Sequence, residues 1–504
     1  MSLKISRRHM LRTSTLALAG LCAASRRVLA GGMNMEMDMQ PSGNSPALAP
    51  FVDALRIPPV LNPVMRGKTA HYTMTMRAGL SKVHRDLPAT VVWGFDGIYP
   101  GPTIWATRGH PVAIRHVSRL PDMHQDGMAA MAMMYPSVHL HGAHVAPQHD
   151  GHPREAISPD AFRDFHYPNQ QRAATLLYHD HSHGQTGLHV YYGMAGCYLI
   201  KDPNEEALNL PTGEFDIPLM IQDRVFKADG SFHYMLDAST RETGVLGDTI
   251  LVNGVVQPYL KVARRKYRLR IINASNARAY QLQLSTAEPL IHIATDGGLL
   301  PKPAPQAVID LAPFERVDVV VDFGAYTLGT QVVLKNGGSG AGSLGSIMRF
   351  DVDIPAVDDS TVPDCLSAWE DLPVDAQTPT REFVLNRKSS PAGTVWTIND
   401  ELYEMSNPPL AQVKHGALER WRFLNPTNHP HPVHIHLIQF QVLNINGVPQ
   451  DPARHGWKDV LVAPPGGEIT VAARFKGYTG RYLFHCHNLE HEDLGMMADY
   501  EIVP

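Results

Sequence analysis

Cysteine is scarce in this chain, whose 504 residues include only Cys22, Cys197, Cys365 and Cys486. Two of the four are assigned below to a removable leader and to a metal site. At most one disulfide, between Cys197 and Cys365, can therefore form in an oxidising compartment. Cys197 lies in the apolar run 194–200, which is typical of a buried strand. We favour an inert buried thiol at this position, and the disulfide stays open as the alternative.

The chain also lacks an excess of positive charge. It has 44 Lys and Arg against 49 Asp and Glu, a formal net charge of −5. Residues 1–30 contain six basic and no acidic residues, so their removal leaves 38 basic against 49 acidic residues and a charge of −11. An acidic protein without a basic run is not expected to bind nucleic acid, although a small neutral substrate is compatible with this charge.

The apolar segment near the N-terminus, residues 13–25, is too short to span a bilayer and is flanked by charge. It follows Arg7-Arg8 and precedes Val28-Leu29-Ala30, which suits cleavage after a small residue. This arrangement resembles a twin-arginine export signal. We expect residues 1–30 to be removed, and the mature protein to be soluble, without stable membrane insertion, in the periplasm or outside the cell.

Glycine and proline are frequent, at 40 each, and the Val, Ile and Thr runs between them indicate short strands and turns more than long helices. A chain of this length exceeds what one hydrophobic core usually supports, so we expect two to four domains. The predicted class is all-β. The strand-like segments in the first part of the chain are 71–77, 90–93, 103–106, 112–116, 137–140 and 175–179.

The stretch 482–496, near the C-terminus, has the residues of a metal site. Its first part is apolar and predicts a strand that runs into His485, Cys486 and His487. Neighbouring side chains of a strand leave opposite faces. We therefore expect Cys486 to point one way and the two histidines the other.

Two further candidate ligands, His491 and Met496, follow on the side of the Cys486 thiol. A blue-copper site uses two histidines and one cysteine in a trigonal plane, with a weak axial methionine. The C-terminal stretch lacks only a second histidine to complete that set, and the two remaining histidines are free to hold a second cluster.

Closely spaced histidines also occur earlier in the chain, at the ends of apolar segments. In a strand, two histidines separated by one residue present both imidazoles on one face, as two ligands of one metal site need. Four such groups in one chain are too many for chance in a His-rich protein. The three earlier groups are His139 with His141, His179 with His181, and His431 with His434 and His436.

These four motifs, in this order, resemble those of the multicopper oxidases. The phrases 178–181 and 487–493 are most similar to the three-domain spore-coat laccase and bilirubin oxidase group, and the likeness spans nearly the whole mature chain. It implies three cupredoxin-like domains, each a Greek-key β-sandwich or barrel. The expected division is a signal at 1–30, a Met-rich disordered tail at 31–49, domains at 50–205, 206–355 and 381–504, and a linker at 356–380.

The resemblance also implies four copper ions and their ligands. One type 1 copper is expected near the C-terminus, and one type 2 copper and a type 3 pair are expected between the first and last domains. The implied type 1 ligands are His431, Cys486, His491 and Met496. The implied type 2 ligands are His139 and His434, and the implied type 3 ligands are His141, His179, His181, His436, His485 and His487.

The activity implied is that of a laccase-type, copper-dependent oxidoreductase that is expected to work as a monomer. Phenols and aromatic amines, including bilirubin-type pigments, would each give one electron, and O2 would accept four to become water. Electrons are expected to enter through an exposed edge of His431 and to pass from Cys486 along the backbone to His485 and His487.

Two acidic residues match positions that deliver protons in the resembling group. Glu492 directly follows His491, and Asp150 lies eleven residues after His139. Carboxylates close to several metal ions are natural proton carriers, because metal charge and burial set their ionisation. For Asp150 a purely structural role is equally compatible with the sequence, since Asp-Gly is a strong turn dipeptide.

Methionine-rich segments leave a second substrate open. Thioethers favour Cu(I), so the tail 31–49 could collect that ion, or it could be a linker without function. The segment 123–134 is expected to be a short packed helix or a lid. Both segments are compatible with a cuprous oxidase, but the absence of a long Met-rich insertion between His431 and Cys486 favours organic donors. The intact ligand set argues against a copper-free scaffold.

Overall fold

The computed structural model describes residues 44–120, 135–286, 288–339 and 344–504. The predicted export signal, most of the Met-rich tail and the segment 123–134 lie outside these residues. Within the described ranges, no helix is both long enough and apolar enough to cross a membrane.

The described residues form mainly β-strands, which fall into six sheets, two in each of three consecutive segments of the chain. In the first segment, one sheet has the order β1-β2-β5-β7 with β3 paired to β2, and the other has the order β4-β9-β8-β6. The strands are β1 (Val64–Arg66), β2 (Thr69–Ser81), β3 (Thr90–Phe95), β4 (Gly101–Thr107), β5 (Val112–Arg119), β6 (Val138–His141), β7 (Phe162–Tyr167), β8 (Ala174–Asp180) and β9 (Ala195–Lys201).

The second segment has a sheet of order β12-β11-β10-β14-β19-β16-β17 and a sheet of order β13-β21-β20-β15-β18. Its strands are β10 (Asp216–Arg224), β11 (Thr249–Val252), β12 (Val255–Val256), β13 (Tyr259–Ala263), β14 (Lys266–Asn273), β15 (Tyr280–Leu284), β16 (Leu290–Thr295), β17 (Gly298–Gln306), β18 (Ile309–Leu311), β19 (Arg316–Asp322), β20 (Thr330–Asn336) and β21 (Ser346–Ile354).

The third segment has sheets of order β23-β22-β25-β30-β27-β28 and β24-β32-β31-β26-β29. Its strands are β22 (Thr380–Ser390), β23 (Gly393–Ile398), β24 (Ala411–Lys414), β25 (Leu418–Leu424), β26 (His431–Ile435), β27 (Phe440–Ile445), β28 (Val448–Pro449), β29 (Val460–Ala463), β30 (Glu468–Arg474), β31 (Gly480–Cys486) and β32 (Met497–Val503).

The same strand topology occurs in all three segments. In the described residues each sheet contains one parallel strand pair, and the other pairings are antiparallel. In one sheet of each segment, the first long strand is parallel to a later one: β2 with β5, β10 with β14, and β22 with β25. In the other sheet, the last strand is parallel to an earlier one: β4 with β9, β13 with β21, and β24 with β32. The all-β class predicted from the sequence is confirmed.

Each pair of sheets encloses its own apolar core, as expected for two layers that each bury one face. In the first segment Met74 of β2 and Leu176 of β8, from opposite sheets, belong to one buried cluster. In the third, Phe423 of β25 and Phe484 of β31 do the same. A comparable cluster fills the second segment. The six strands predicted in the first segment correspond to β2, β3, β4, β5, β6 and β8.

Helices are short in the described part of the chain. Asp493 joins two of them, because its carboxylate accepts hydrogen bonds from the backbone N–H groups of Thr186 and Gly187, at 2.9 and 2.8 Å. This contact ties the last turn of the C-terminal helix to the first segment. The α-helices are α1 (Thr186–Tyr192), α2 (Pro203–Glu206), α3 (Thr240–Thr243), α4 (Pro452–His455) and α5 (Leu489–Asp493), and the 3-10 helices are Pro147–His149, Pro153–Glu155, Gly213–Phe215, Phe323–Ala325 and Gly337–Ser339.

The connecting segments pack against the sheets. Residues 355–379 have no regular structure, as expected of a linker, but Leu366 within them is buried. The end of the predicted disordered tail is also packed, because Ser45 donates its backbone N–H to Asp248 at 2.6 Å. The disordered tail cannot therefore extend to residue 49. The remaining predicted boundaries, 50–205, 206–355 and 381–504, stay proposals.

Candidate metal centre

Eight buried histidines meet between the first and third segments. Strand pairing positions several of them, because His139 of β6 lies opposite His179 of β8, and His434 of β26 lies opposite His485 of β31. Every one of the eight is at most 1% exposed. The eight are His139, His141, His179, His181, His434, His436, His485 and His487.

The eight rings form three groups, two of which share His141, and within each group one nitrogen of each ring lies within 4.8 Å of the others. The sequence predicted this meeting of two distant parts of the chain, and the structure brings all eight residues together. The groups are His139, His141 and His434; His141, His179 and His487; and His181, His436 and His485.

The inward-facing nitrogens fit metal ions. Among the described residues, the buried Nε2 atoms of His139, His179 and His434 have no hydrogen-bond partner. The Nε2 atoms of His436 and His181 lie 3.1 and 3.3 Å from that of His485. Buried polar atoms without partners are costly, and converging imidazole nitrogens are ligands that suit copper.

Backbone carbonyl groups orient three of these rings. The Nδ1 atom of His139 donates to the carbonyl of Asp150 at 2.5 Å, and that of His434 donates to the carbonyl of Asp459 at 2.8 Å. His179 donates in the same way to the carbonyl of Asp180 at 2.7 Å. Each bond fixes the tautomer and leaves Nε2 free to bind a metal. Burial also lowers the pKa of His139 and His434 well below the usual value, which favours the neutral form needed for ligation.

His141 is turned the other way, and Asp459 is the cause. Its Nε2 atom lies 3.0 Å from Oδ1 of Asp459, while its Nδ1 atom lies 3.2 Å from Nε2 of His487. Arg316 holds the carboxylate with two hydrogen bonds of 2.5 and 2.6 Å. Sequence reasoning missed Asp459 and Arg316, because neither belongs to a His motif. The only signal was a charged residue directly before the apolar strand β29.

Gly142 is required for this close packing. Its φ is +84°, and a Cβ atom there would lie 2.7 Å from Nη2 of Arg316 and 2.8 Å from Oδ2 of Asp459. Any other residue would be strained and would displace the ion pair that orients His141.

The two predicted proton carriers both lie beside the cluster. The Oδ2 atom of Asp150 accepts a hydrogen bond from Nδ1 of His436 at 2.8 Å. The Oε2 atom of Glu492 lies 3.1 Å from Nδ1 of His485, and its Oε1 atom lies 3.5 Å from Nδ1 of His181. Asp150 also follows a 3-10 helix, so the turn and the cluster contact occur together.

The electrostatics of the two carboxyls differ. Burial raises the pKa of Asp150 well above its usual value, and the charge of Glu155 adds to the effect. Burial also raises the pKa of Glu492, but the neighbouring His485 and His181 outweigh it and hold the pKa at about 2. Burial therefore raises the pKa of one carboxyl, whereas the imidazole neighbours lower the pKa of the other.

A second donor set surrounds Cys486. Its Sγ atom lies 3.4 Å from Nδ1 of His431 and 3.7 Å from Nδ1 of His491, and these two nitrogens are 3.1 Å apart. The backbone N–H of Asn488 donates to the sulfur at 3.4 Å. Two imidazole nitrogens and one sulfur converge on a single point, as a copper-thiolate site needs.

Met496 lies in the same buried cluster as Cys486 and is fully shielded from solvent. Its backbone N–H donates to the carbonyl of His491 at 2.9 Å, and its carbonyl accepts from the N–H of Cys486 at 3.0 Å. Helix α5 begins at the Asn488 cap, whose side chain accepts from the N–H of His491. This tight turn brings the thioether residue back to the thiol.

The predicted exposed edge of His431 is wrong. The residue is fully buried, and its Nε2 atom donates to the hydroxyl of Thr427 at 3.0 Å. The Nε2 atom of His491 donates to the carbonyl of Glu242 in α3 at 2.8 Å. Trp396 covers His491, with ring centroids 4.0 Å apart. Trp396 and Glu242 lie far from His491 in the sequence, so the local motif did not reveal this cover.

Three consecutive residues connect the two donor sets. Cys486 belongs to one set, and the rings of His485 and His487 belong to the other. The alternation expected of the strand is therefore present, and the covalent path between the two sets passes through single peptide bonds.

Comparisons with known proteins agree with this arrangement. Sequence models of the multicopper oxidase family match residues 79–205 and 374–504. A laccase of Bacillus subtilis is 37% identical over 90% of this chain and 99% of its own length. A bilirubin oxidase of Albifimbria verrucaria is 34% identical over 90% of this chain and 82% of its own length. The crystal structure of a laccase from Pediococcus acidilactici superposes with a TM-score of 0.81 and 29% identity, covering 93% of this chain and 97% of that chain.

Two converging donor sets, a repeated cupredoxin-like topology and relatives that match along most of their length lead to one conclusion. The chain belongs to the multicopper oxidases and is a copper-dependent oxidoreductase.

Proposed function

We propose that this protein is a laccase-like oxidase of phenols and aromatic amines, including bilirubin-type pigments, that reduces O2 to water. The observation that carries the proposal is the junction of two buried donor sets through His485, Cys486 and His487. A one-electron donor and a four-electron acceptor need separate sites, and a short covalent path between those sites lets both reactions proceed in one chain.

The donor sets support a content of four copper ions. The sulfur set would hold one type 1 ion through His431, Cys486, His491 and Met496. The eight-histidine set would hold one type 2 ion through His139 and His434. It would also hold a type 3 pair through His141, His179, His181, His436, His485 and His487. Bound copper would supply the one-electron redox steps that neither imidazoles nor carboxylates can provide.

The protein's own residues do the remaining work. Burial of both sets keeps bulk water away from the ligands. Asp150 and Glu492 lie within hydrogen-bond distance of cluster imidazoles and are placed to hold and transfer protons there. Asp459 and Arg316 fix the orientation of His141.

The organic donor is expected to approach His491 and not His431. His491 makes its outer hydrogen bond with the carbonyl of Glu242, a residue whose side chain is 34% exposed. His431 instead makes its outer hydrogen bond with the buried hydroxyl of Thr427. We therefore expect electrons to enter at the surface around Glu242 and to reach the sulfur set through the ring of His491.

Steady-state kinetics of the copper-loaded protein test the proposal. A phenol, a substituted aniline and Cu(I) are compared as donors while O2 uptake is recorded. We expect higher kcat/KM for the organic donors and one O2 consumed for every four electrons donated, without accumulation of hydrogen peroxide. A clear preference for Cu(I) would instead favour a cuprous oxidase, and accumulation of peroxide would contradict reduction to water.

Export and oligomeric state are further proposals. The Arg7-Arg8 pair supports a twin-arginine signal and a periplasmic or extracellular location. Replacing both arginines by lysine should retain the protein in the cytoplasm, as measured by cell fractionation. Light scattering of the mature protein should give the mass of one chain.

A further inference from the structure

A groove of about 740 Å³ opens beside the eight-histidine cluster, between the first segment, the linker and the third segment. Its size lies within the range of small-molecule sites, roughly 300–1,000 Å³. Gly142 and Leu437, which line it, directly follow the cluster residues His141 and His436. The residues around the sulfur set do not line this groove.

The groove has cationic walls that acidic residues do not fully neutralise. Arg108 is paired with Asp202 at 2.8 Å. Among the described residues, no carboxylate lies within ion-pair distance of Arg172, Arg474 or Lys476, which also line the groove. Arg474 and Lys476 are separated by one residue at the end of β30. Uncompensated cations along a cleft attract an anion.

Arg172 has free hydrogen-bonding capacity. Its Nη2 atom donates to Oε1 of Gln439 at 3.1 Å, and its Nε atom lies 3.4 Å from the carbonyl of Gly297. Its Nη1 atom has no partner among the described residues. The side chain keeps contact with solvent. The groove walls still remove part of its hydration, and this desolvation lowers the pKa of Arg172 to about 10, with a smaller contribution from the positive charge of Arg108. An anion placed against Nη1 would offset both the loss of hydration and the repulsion by Arg108.

Two indole rings give the groove an aromatic wall. Trp369 of the linker and Trp457 of the third segment have ring centroids 5.5 Å apart, at an angle of 45°. The guanidinium of Arg172 lies 4.3 Å from the centroid of the Trp457 ring. Asp371, on the linker wall, accepts a hydrogen bond from the indole N–H of Trp369 at 2.7 Å. The carboxylate of Asp371 would repel a second negative charge on the ligand.

We propose that this groove binds a planar aromatic monoanion, an arylcarboxylate or arylsulfonate. Its ring lies against Trp369 and Trp457, and its anionic group meets Arg172, with Lys476 and Arg474 as further cations. Because Gly142 and Leu437 line the groove beside the cluster, the bound anion covers this side of the eight-histidine set. It does not occupy the place of the electron donor near His491.

Isothermal titration of the full, copper-loaded chain with naphthalene-2-sulfonate tests the site. We expect saturable binding of one molecule per chain. Arg172→Gln and Trp457→Leu should each weaken binding at least about tenfold, a change of roughly 1.4 kcal/mol. Arg115→Gln is the matched control, because Arg115 is an exposed arginine paired with Asp164 away from the groove. Its affinity should equal that of the wild type, and the blue absorbance of every variant reports correct folding.

Two further measurements test separately whether binding depends on the negative charge of the ligand and whether the ligand binds away from the electron donor. A neutral naphthalene alcohol and a naphthyl trimethylammonium ion should bind at least about tenfold more weakly than the sulfonate. Inhibition of phenol oxidation by the sulfonate should be non-competitive with the phenol. Equal affinity for the three ligands, unchanged binding in Arg172→Gln, absence of saturable binding, or competition with the phenol would each overturn the proposal, while leaving the oxidase activity itself intact.

Discussion

The Nε2 atom of His141 lies 3.0 Å from Oδ1 of Asp459, so this ring presents Nδ1 to the cluster while three neighbouring rings present Nε2. The carboxylate that causes the inversion is itself held by Arg316 of β19. The second segment, which contributes none of the eight histidines, therefore takes part in building the cluster. Its role therefore extends beyond separating the outer segments.

Asp459→Asn should weaken copper binding at the cluster. The amide NH2 group would face the Arg316 guanidinium and repel it, so the hydrogen bond that orients His141 is weakened. Loss of an outer hydrogen-bond partner typically lowers metal affinity by about 10- to 100-fold. Copper retained after dialysis against a chelator measures the effect, and the blue absorbance should persist. Glu315→Gln is the control, since Glu315 pairs with Lys458 in the same buried network and contacts none of the eight histidines. Equal copper loss in both variants would contradict a specific role for Asp459.

Glu492→Gln should slow O2 reduction without removing the blue absorbance. The amide keeps the shape of the side chain beside His485 but cannot carry a proton. General acid or base groups typically contribute at least about 100-fold, so we expect kcat to fall by this order. Glu490→Gln is the control, because Glu490 is buried in the same helix but bonds to Asn276, Tyr234 and the N–H of Val245. Unchanged turnover in Glu492→Gln would argue against proton delivery by this residue.

Met496→Leu should raise the reduction potential of the blue site. Compared with leucine, which donates nothing, a weakly bound thioether adds electron density that stabilises the Cu(II) form of the blue site more than the Cu(I) form, and leucine removes this donor at similar volume. Redox titration of the blue absorbance measures the change. A potential that stays constant or falls would show that Met496 is not an axial ligand.

Copper removal should lower the melting temperature. The eight histidines come from the first and third segments, so ligation connects two distant parts of the chain, and the free energy of ligation adds to that of folding. Differential scanning calorimetry of the copper-free and copper-loaded forms measures the difference. Identical melting temperatures would mean that the interface is stable without metal.

The site residues were predictable wherever the signal was local. Alternation along β31 and into the next residue predicts that Cys486 faces one donor set while His485 and His487 face the other, as the structure shows. The pairing of Cys486 with His431 was implied only by the resemblance to the multicopper oxidases. Asp459 was not predictable, because its contact with His141 joins residues far apart in sequence. The burial of the sulfur set was missed for the same reason, since Trp396 packs against the rings of His431 and His491, and α3 contacts His491.

The fold was predictable in class more than in detail. Turn-rich composition and short β-branched runs indicate strands, and the six strands predicted in the first segment are present. β7, Phe162–Tyr167, was not predicted, because its Arg, Asp and His residues interrupt the apolar pattern and only pairing with β5 makes it a strand. The packed linker and the ordered residues 44–49 likewise depend on contacts with distant surfaces.

Copper content and blue absorbance of the wild type and Cys486→Ser test the central claim most directly. We predict four coppers and a blue band in the wild type. The variant should hold three coppers, lack the blue band and fail to oxidise a phenol, because the eight histidines remain in place while the sulfur set is lost. A variant that keeps the blue band or the fourth copper would contradict the assignment of Cys486 and of the path through His485 and His487.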